Sequence, residues 1–209
     1  MIKIENLNKS FGEKEVIKNF SYEIPNRVMI AITGKSGCGK STLLNILGLL
    51  DIEYKGKVLY DGKMISNESE KNRNEYIRNN INYLFQNYAL IDTDTVYENL
   101  LLALEYEKLS KNEKNRKINE ALELVDLKNF NEKKIFTLSG GEQQRVALAR
   151  VILKKGNIIL ADEPTGNLDK ENSNKVMNIL KKLQKEGRTI IIVTHDENIA
   201  KQCDDIICW

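Results

Sequence analysis

The chain has 209 residues, 41% of them hydrophobic, and 32 Lys+Arg against 30 Asp+Glu leave a formal charge of only +2. That length can bury a proper core, while the near-balance of charge argues against an electrostatic nucleic-acid footprint and a polybasic membrane anchor. No apolar run approaches the ~18–20 residues that cross a bilayer, so at a membrane other chains must supply the spanning part.

The segment Met1-Ile2-Lys3-Ile4-Glu5 alternates apolar and charged residues like a strand and has no signal-peptide h-region. Residues 2–7 and 15–24 read as two strands joined by a turn at Gly12-Glu13, a hairpin-like antiparallel element that breaks at Pro25-Asn26. Residues 27–33 form a nearly all-apolar strand, as in the centre of a sheet covered on both faces. A helix over 40–49 follows, and Lys57-Val58-Leu59-Tyr60-Asp61-Gly62 looks like a strand entering a turn. From Asn67 to Asn80 the composition predicts a solvated segment and then a short helix. Ile81-Asn82-Tyr83-Leu84-Phe85 is the next strand and ends at Gln86. Helical spacing over 94–109 and 112–127 makes the region 88–150 a mostly helical insert in an α/β chain. Ile158-Ile159-Leu160-Ala161-Asp162 and Thr189-Ile190-Ile191-Ile192-Val193 are buried strands, separated by a helix over 170–186 that Gly187 ends. A short helix over 196–202 leads to Asp205-Ile206-Ile207-Cys208-Trp209. Apolar strands alternating with helices make a parallel α/β sheet. Cys38, Cys203 and Cys208 form an odd set without zinc-ligand spacing, which reads as reduced thiols in a cytosolic protein.

Between the 27–33 strand and its helix stands Gly34-Lys35-Ser36-Gly37-Cys38-Gly39-Lys40-Ser41, followed by Thr42. This is G-x-x-x-x-G-K-[ST] in the strand–loop–helix setting that makes it a phosphate-binding loop. Glycines let consecutive N–H groups turn inward as an anion nest, and the helix start adds its positive end. Lys40 is expected on the β- and γ-phosphates, and the Ser41 hydroxyl on Mg²⁺. Asp162-Glu163 ends an apolar strand at the sheet edge where ligands bind. There Asp162 would hold Mg²⁺ through water and Glu163 would polarise the attacking water. Leu138-Ser139-Gly140-Gly141-Glu142-Gln143 opens a helix and forms a second anion site. One nucleotide has one γ-phosphate, so the second device is read as serving a partner's nucleotide in a head-to-tail homodimer, or in a matching heterodimer.

Together the phosphate loop, the Leu138–Gln143 stretch and Asp162-Glu163 resemble the ATP-binding cassette (ABC) ATPases along essentially the whole chain. The resemblance implies an α/β P-loop NTPase with a mixed, mainly parallel core sheet, an antiparallel β subdomain and an inserted helical subdomain. It divides one domain, 1–209, into a core (1–87 and 151–209) and a helical part (88–150). By the same resemblance Phe11 stacks on adenine, Gln86 reaches Mg²⁺, the attacking water and the contact with a membrane subunit, and His195 contacts the γ-phosphate. Ser139, Gly140, Gly141 and Glu142 serve the partner's ATP, and Asp169 of Gly166-Asn167-Leu168-Asp169 is the acid of a loop crossing the dimer interface. Family members usually continue past the segment matching Ile206-Ile207 with another strand and turn.

Glu163–Asp169 and Asn45–Asp51 look most like a bacterial subgroup serving macrolide or peptide export, lipoprotein release and antimicrobial-peptide resistance. The implied cofactors are ATP and Mg²⁺. The implied partners are a second cassette and a permease with few membrane helices and a large extracytoplasmic domain, with the chain peripheral on the cytoplasmic membrane face and no nucleic acid expected. Two alternatives stay open: a soluble ABC-type ATPase acting on ribosomes or nucleic acid, and a P-loop binding module without turnover.

Overall fold

The computed structural model describes residues 1–166 and 168–209; Asn167, singled out above in the interface loop, lies outside the described residues. The strands are β1 (Ile2–Phe11), β2 (Lys14–Ile24), β3 (Met29–Thr33), β4 (Lys55–Tyr60), β5 (Ile81–Leu84), β6 (Ile158–Asp162), β7 (Thr189–Val193) and β8 (Asp205–Cys208). The helices are α1 (Lys40–Leu47), α2 (Glu70–Asn80), α3 (Val96–Leu101), α4 (Lys111–Leu124), α5 (Gly140–Leu153), α6 (Lys170–Lys185) and α7 (Glu197–Ala200).

The expected mixed sheet resolves into two sheets. Five strands run in the order β5-β6-β7-β3-β8, and each pairing among them is parallel. Antiparallel strands form a separate three-stranded sheet, β2-β1-β4, and among the described residues the pairs Tyr60↔Lys63 and Thr95↔Lys134 add isolated antiparallel bridges. The connections explain the division: the two-residue turn at Gly12-Glu13 permits only an antiparallel return, whereas helices carry the chain between the parallel strands. β1 is longer than the sequence suggests because bulges let it continue past Leu7, with Asn6 and Asn19 taking φ of +48° and +45°. Asn tolerates that left-handed conformation at little cost.

Alternation along the parallel strands sends residues to two cores. Ile159, Ala161, Ile190 and Ile192 join the helices α3, α4, α5 and α6 on one face. Leu160, Ile191, Val193, Ile30 and Ile32 join α1 and the antiparallel sheet on the other. With both faces covered, β6 and β7 are almost uniformly apolar, and their observed bounds are those the sequence predicts.

The helical predictions need adjustment. The expected helix over 94–109 ends as α at Leu101 and continues only as a 3-10 turn to Leu104. α2 runs for 11 residues although none of them is buried, because Ser69 accepts the Asn72 N–H as its N-cap. α5 starts at Gly140 because Ser139 is its cap, within the stretch expected to open a helix. No helix among the described residues is long and apolar enough to cross a membrane.

Candidate active site

β3, β5, β6 and β7 all deliver candidate residues to the C-terminal edge of the parallel sheet, where α/β proteins bind ligands. From β3 the chain enters the Gly34–Gly39 loop, then α1 at Lys40. Gly39 has φ of +109°, and a Cβ there would lie 2.6 Å from Val16 Cγ1, so only glycine fits. α1 has no side-chain cap and no acidic residue in its first turn, which leaves its positive end free for an anion. Lys40 is only 7% exposed, and its ammonium donates to the carbonyls of Gly34 and Lys35, each at 2.9 Å. The loop thus fixes its own lysine before any ligand arrives.

β6 brings Asp162 beside this loop, where Ser41 Oγ donates to Asp162 Oδ1 at 3.2 Å. Burial raises the Asp162 pKa and the Glu163 charge adds to that, while the Ser41 hydrogen bond and Lys40 oppose it. Glu163 takes φ of +46°, a strained value for a non-glycine residue, with its N–H donating to the Val193 carbonyl at 2.9 Å. Its Oε1 lies 2.9 Å from His195 Nδ1. The histidine is 71% exposed and the carboxylate 14%. That carboxylate holds the His195 pKa above 6.5.

These groups face one cleft of about 640 Å³. Gln86, Asp162, Glu163 and His195 line it opposite Ser36, Gly37, Gly39, Lys40, Ser41 and Thr42. Gly34, Lys35 and Cys38 belong to the same loop but do not line the cleft. Phe11 stands at its mouth, 54% exposed, with Lys9 Nζ 4.8 Å from the ring centroid. Lys14 and Val16 on the same hairpin, together with Val193, also line the cleft and were not expected there from sequence, their signal being proximity to Phe11 and to the carboxylate strand end; Gly166, expected only in the interface loop, lines it too.

The structure does not bring Ser139, Gly140, Gly141, Glu142 or Asp169 into this cleft. Ser139 caps α5 in a reciprocal box: its N–H and Oγ–H donate to Glu142 Oε2 at 2.7 and 2.8 Å, and its Oγ accepts the Glu142 N–H. Asp169 caps α6 by accepting the Asn172 N–H at 2.8 Å. The buried Gln144 amide donates to the Pro164 carbonyl at 2.8 Å, tying α5 to the loop after Glu163. The segment after Gln86 is tied to the same helix, for Arg150 donates to the carbonyls of Tyr88 (2.7 Å) and Ala89. Tyr88 and Ala89 both have positive φ, and a groove of about 850 Å³ opens beside Gln86, Asn87 and Tyr88.

Residues 17–166 match the ABC transporter family model. The chain belongs to the ABC transporter family. It is an ATP-binding cassette ATPase, the subunit type that serves transporters. An uncharacterised ABC transporter ATP-binding protein of Methanocaldococcus jannaschii is 42% identical, over 99% of this chain and 94% of its own. The lipoprotein-releasing system ATP-binding protein LolD of Bacteroides thetaiotaomicron is 39% identical, over 98% and 94%. The macrolide export ATP-binding/permease protein MacB of Mannheimia succiniciproducens is 41% identical over 99% of this chain, which spans only 33% of that protein. Among solved structures, the dimeric cassette MJ0796 superposes with a TM-score of 0.92 at 38% identity, covering 100% of this chain and 94% of its own. A post-hydrolysis dimer of MJ0796 with ADP and phosphate gives the same TM-score at 36% identity, with the same coverage.

Proposed function

We propose that the cleft binds ATP with Mg²⁺ and hydrolyses it within a head-to-tail dimer, and that this cycle drives a membrane permease. One observation carries the reading. The cleft gathers a phosphate loop, two acids, a histidine and a glutamine, while the Ser139 site lies outside it. The phosphate-binding group comes from Gly34 to Thr42, and adenine lies against Phe11.

The donors fit a hard cation, since Ser41 supplies a hydroxyl, Gln86 an amide oxygen and Asp162 a desolvated carboxylate. Among the described residues no group of three His, Cys, Asp or Glu side chains is placed to hold a metal by itself. When bound, Mg²⁺ neutralises charge on the β- and γ-phosphates.

Glu163 is the general base. For Glu163 to take up a water the imidazole must leave its carboxylate and turn toward the γ-phosphate, where it can hydrogen-bond the transferring group. Lys40 stabilises the charge developing on that group. Ser139, Gly140, Gly141 and Glu142 cap the nucleotide of the partner chain, and Asp169 sits in the crossing loop between the two. We assign 1–87 and 151–209 to the nucleotide-binding core and 88–150 to the helical part that carries the cap.

The permease contact lies in the groove beside Gln86, Asn87 and Tyr88. Arg150 links that segment to α5, so movement of the permease reaches Ser139 at the other end of the helix. The names of the macrolide-export and lipoprotein-releasing relatives support export or mechanotransmission through a membrane permease, to which the subgroup resemblance adds a large extracytoplasmic domain. The cassette then works at the cytoplasmic membrane face, held there by that permease. The test is Glu163→Gln. It should lower turnover ~100-fold or more while ATP affinity by calorimetry stays within a few-fold; wild-type turnover in the variant would remove Glu163 as the base.

A further inference from the structure

We propose that Trp209 is a positioning residue of the phosphate loop, holding the Cys38–Gly39 peptide so that the Gly39 N–H faces the cleft. The inference rests on the reading above that polyphosphate binds there.

Trp209 follows β8, which pairs with β3 up to Thr33↔Cys208, and its own N–H donates to the Thr33 carbonyl at 2.8 Å. That places the residue directly beside the start of the loop. Its indole N–H then donates to the Cys38 carbonyl at 2.7 Å. The ring is held from behind by Phe20, with centroids 4.8 Å apart. Space around the loop is closed by the same residue: a Cβ on Gly34 would lie 3.1 Å from Trp209 Cβ, and one on Gly39 would lie 3.4 Å from its Nε1.

The consequence follows from peptide geometry. In a planar trans peptide the carbonyl of one residue and the N–H of the next point in opposite directions. A Cys38 carbonyl fixed outward on the indole therefore turns the Gly39 N–H the other way, and Gly39 lines the cleft whereas Cys38 does not. If this peptide flipped, an oxygen would replace a donor facing an anion. Gly39, at φ of +109°, has the freedom to permit such a flip. Nothing else among the described hydrogen bonds holds the Cys38 carbonyl.

Trp209→Phe keeps an aromatic ring against Phe20 and removes the N–H together with part of the indole's bulk. The variant should bind ATP-Mg²⁺ about 3- to 10-fold more weakly, with KM rising in step and kcat changing less than about twofold, the range expected for one lost hydrogen bond. AMP, which lacks the outer phosphates, should lose less than ATP. Trp209 is also the chain's single tryptophan. In the wild type, indole emission should change with added ATP-Mg²⁺ and saturate at the calorimetric Kd, a readout that stands even if Trp209→Phe does not fold. Calorimetric ATP binding with unaltered indole emission, or a folded Trp209→Phe with wild-type ATP affinity, overturns the proposal. A wild-type chain that binds no ATP by calorimetry overturns the function reading itself, and with it this proposal.

Discussion

Asp162 and His195 are both held away from their ordinary protonation behaviour, in ways that predict different measurements. Asp162 has its pKa raised chiefly by burial, so its charged form is better solvated in the unfolded chain. The stability tied to its protonated form is present below the unfolded pKa and lost as pH rises through the folded one. Asp162→Asn should therefore raise the melting temperature of the nucleotide-free protein at pH 7 while abolishing turnover; a lower melting temperature would contradict that account. His195 is raised by the Glu163 carboxylate, so the pair stabilises the fold below pH 6.5 and loses that contribution as pH climbs through the raised folded value. As the single histidine in the chain, its ring protons give one NMR titration. The midpoint should lie above 6.5 and fall in Glu163→Gln; equal midpoints would mean the carboxylate does not govern the imidazole.

Why some residues were legible and others not follows from range. Lys40, Ser41 and Asp162 are fixed by spacing along a strand and the loop after it, which a sequence displays. Trp209 and Gln144 act through contacts with loops far away in the chain, on the Cys38 and Pro164 carbonyls, and no local pattern announces those.

Among the elements, the capping residues carry two duties. Ser139 opens α5 and is also proposed to face the partner's nucleotide. Ser139→Ala should cost about 1 kcal/mol of unfolding free energy, the usual worth of such a cap, measurable by denaturant melts; no loss would mean Glu142 alone secures the helix start. Glu142, like Glu98 and Glu113 in the boxes opening α3 and α4, has its pKa lowered by accepting hydrogen bonds from its cap residue. Depressed carboxylates contribute stability above their unfolded pKa, about 4.5, and lose it as pH falls through the lower folded value. Helical content in α3, α4 and α5 should thus weaken in acid below that point.

β6 and β7 were legible because strands buried on both faces show as unbroken apolar runs. The 94–109 helix was overestimated because Val96, Leu100, Leu101 and Leu104 keep helical spacing through a turn that is 3-10 at its end. α2 was underestimated for the opposite reason: its cap is strong and its apolar signal absent, with only Tyr76 and Ile77 reaching the core.

For the whole molecule, the antiparallel sheet brings Phe11 to the cleft, the parallel sheet supplies the phosphate loop and acids, and α5 carries Ser139 beyond reach of both. On the proposed reading, one chain supplies half of each of two sites. A cassette that completes its sites only in pairs would close on ATP and open after hydrolysis, which is the motion a permease can use. Tagged Glu163→Gln protein with ATP-Mg²⁺ should retain from solubilised membranes a protein with few spanning helices and a large outer domain. Retention of ribosomes instead, with no membrane protein, would contradict the permease assignment.

The most direct measurement is the mass of Glu163→Gln in solution by light scattering, with and without ATP-Mg²⁺, beside the same variant carrying Ser139→Arg. Head-to-tail closure predicts a dimer only with ATP, and a monomer that still binds ATP once Ser139 is replaced. ATP-saturated Glu163→Gln that stays monomeric, or dimerises equally well with Ser139→Arg, would contradict head-to-tail closure on the nucleotide.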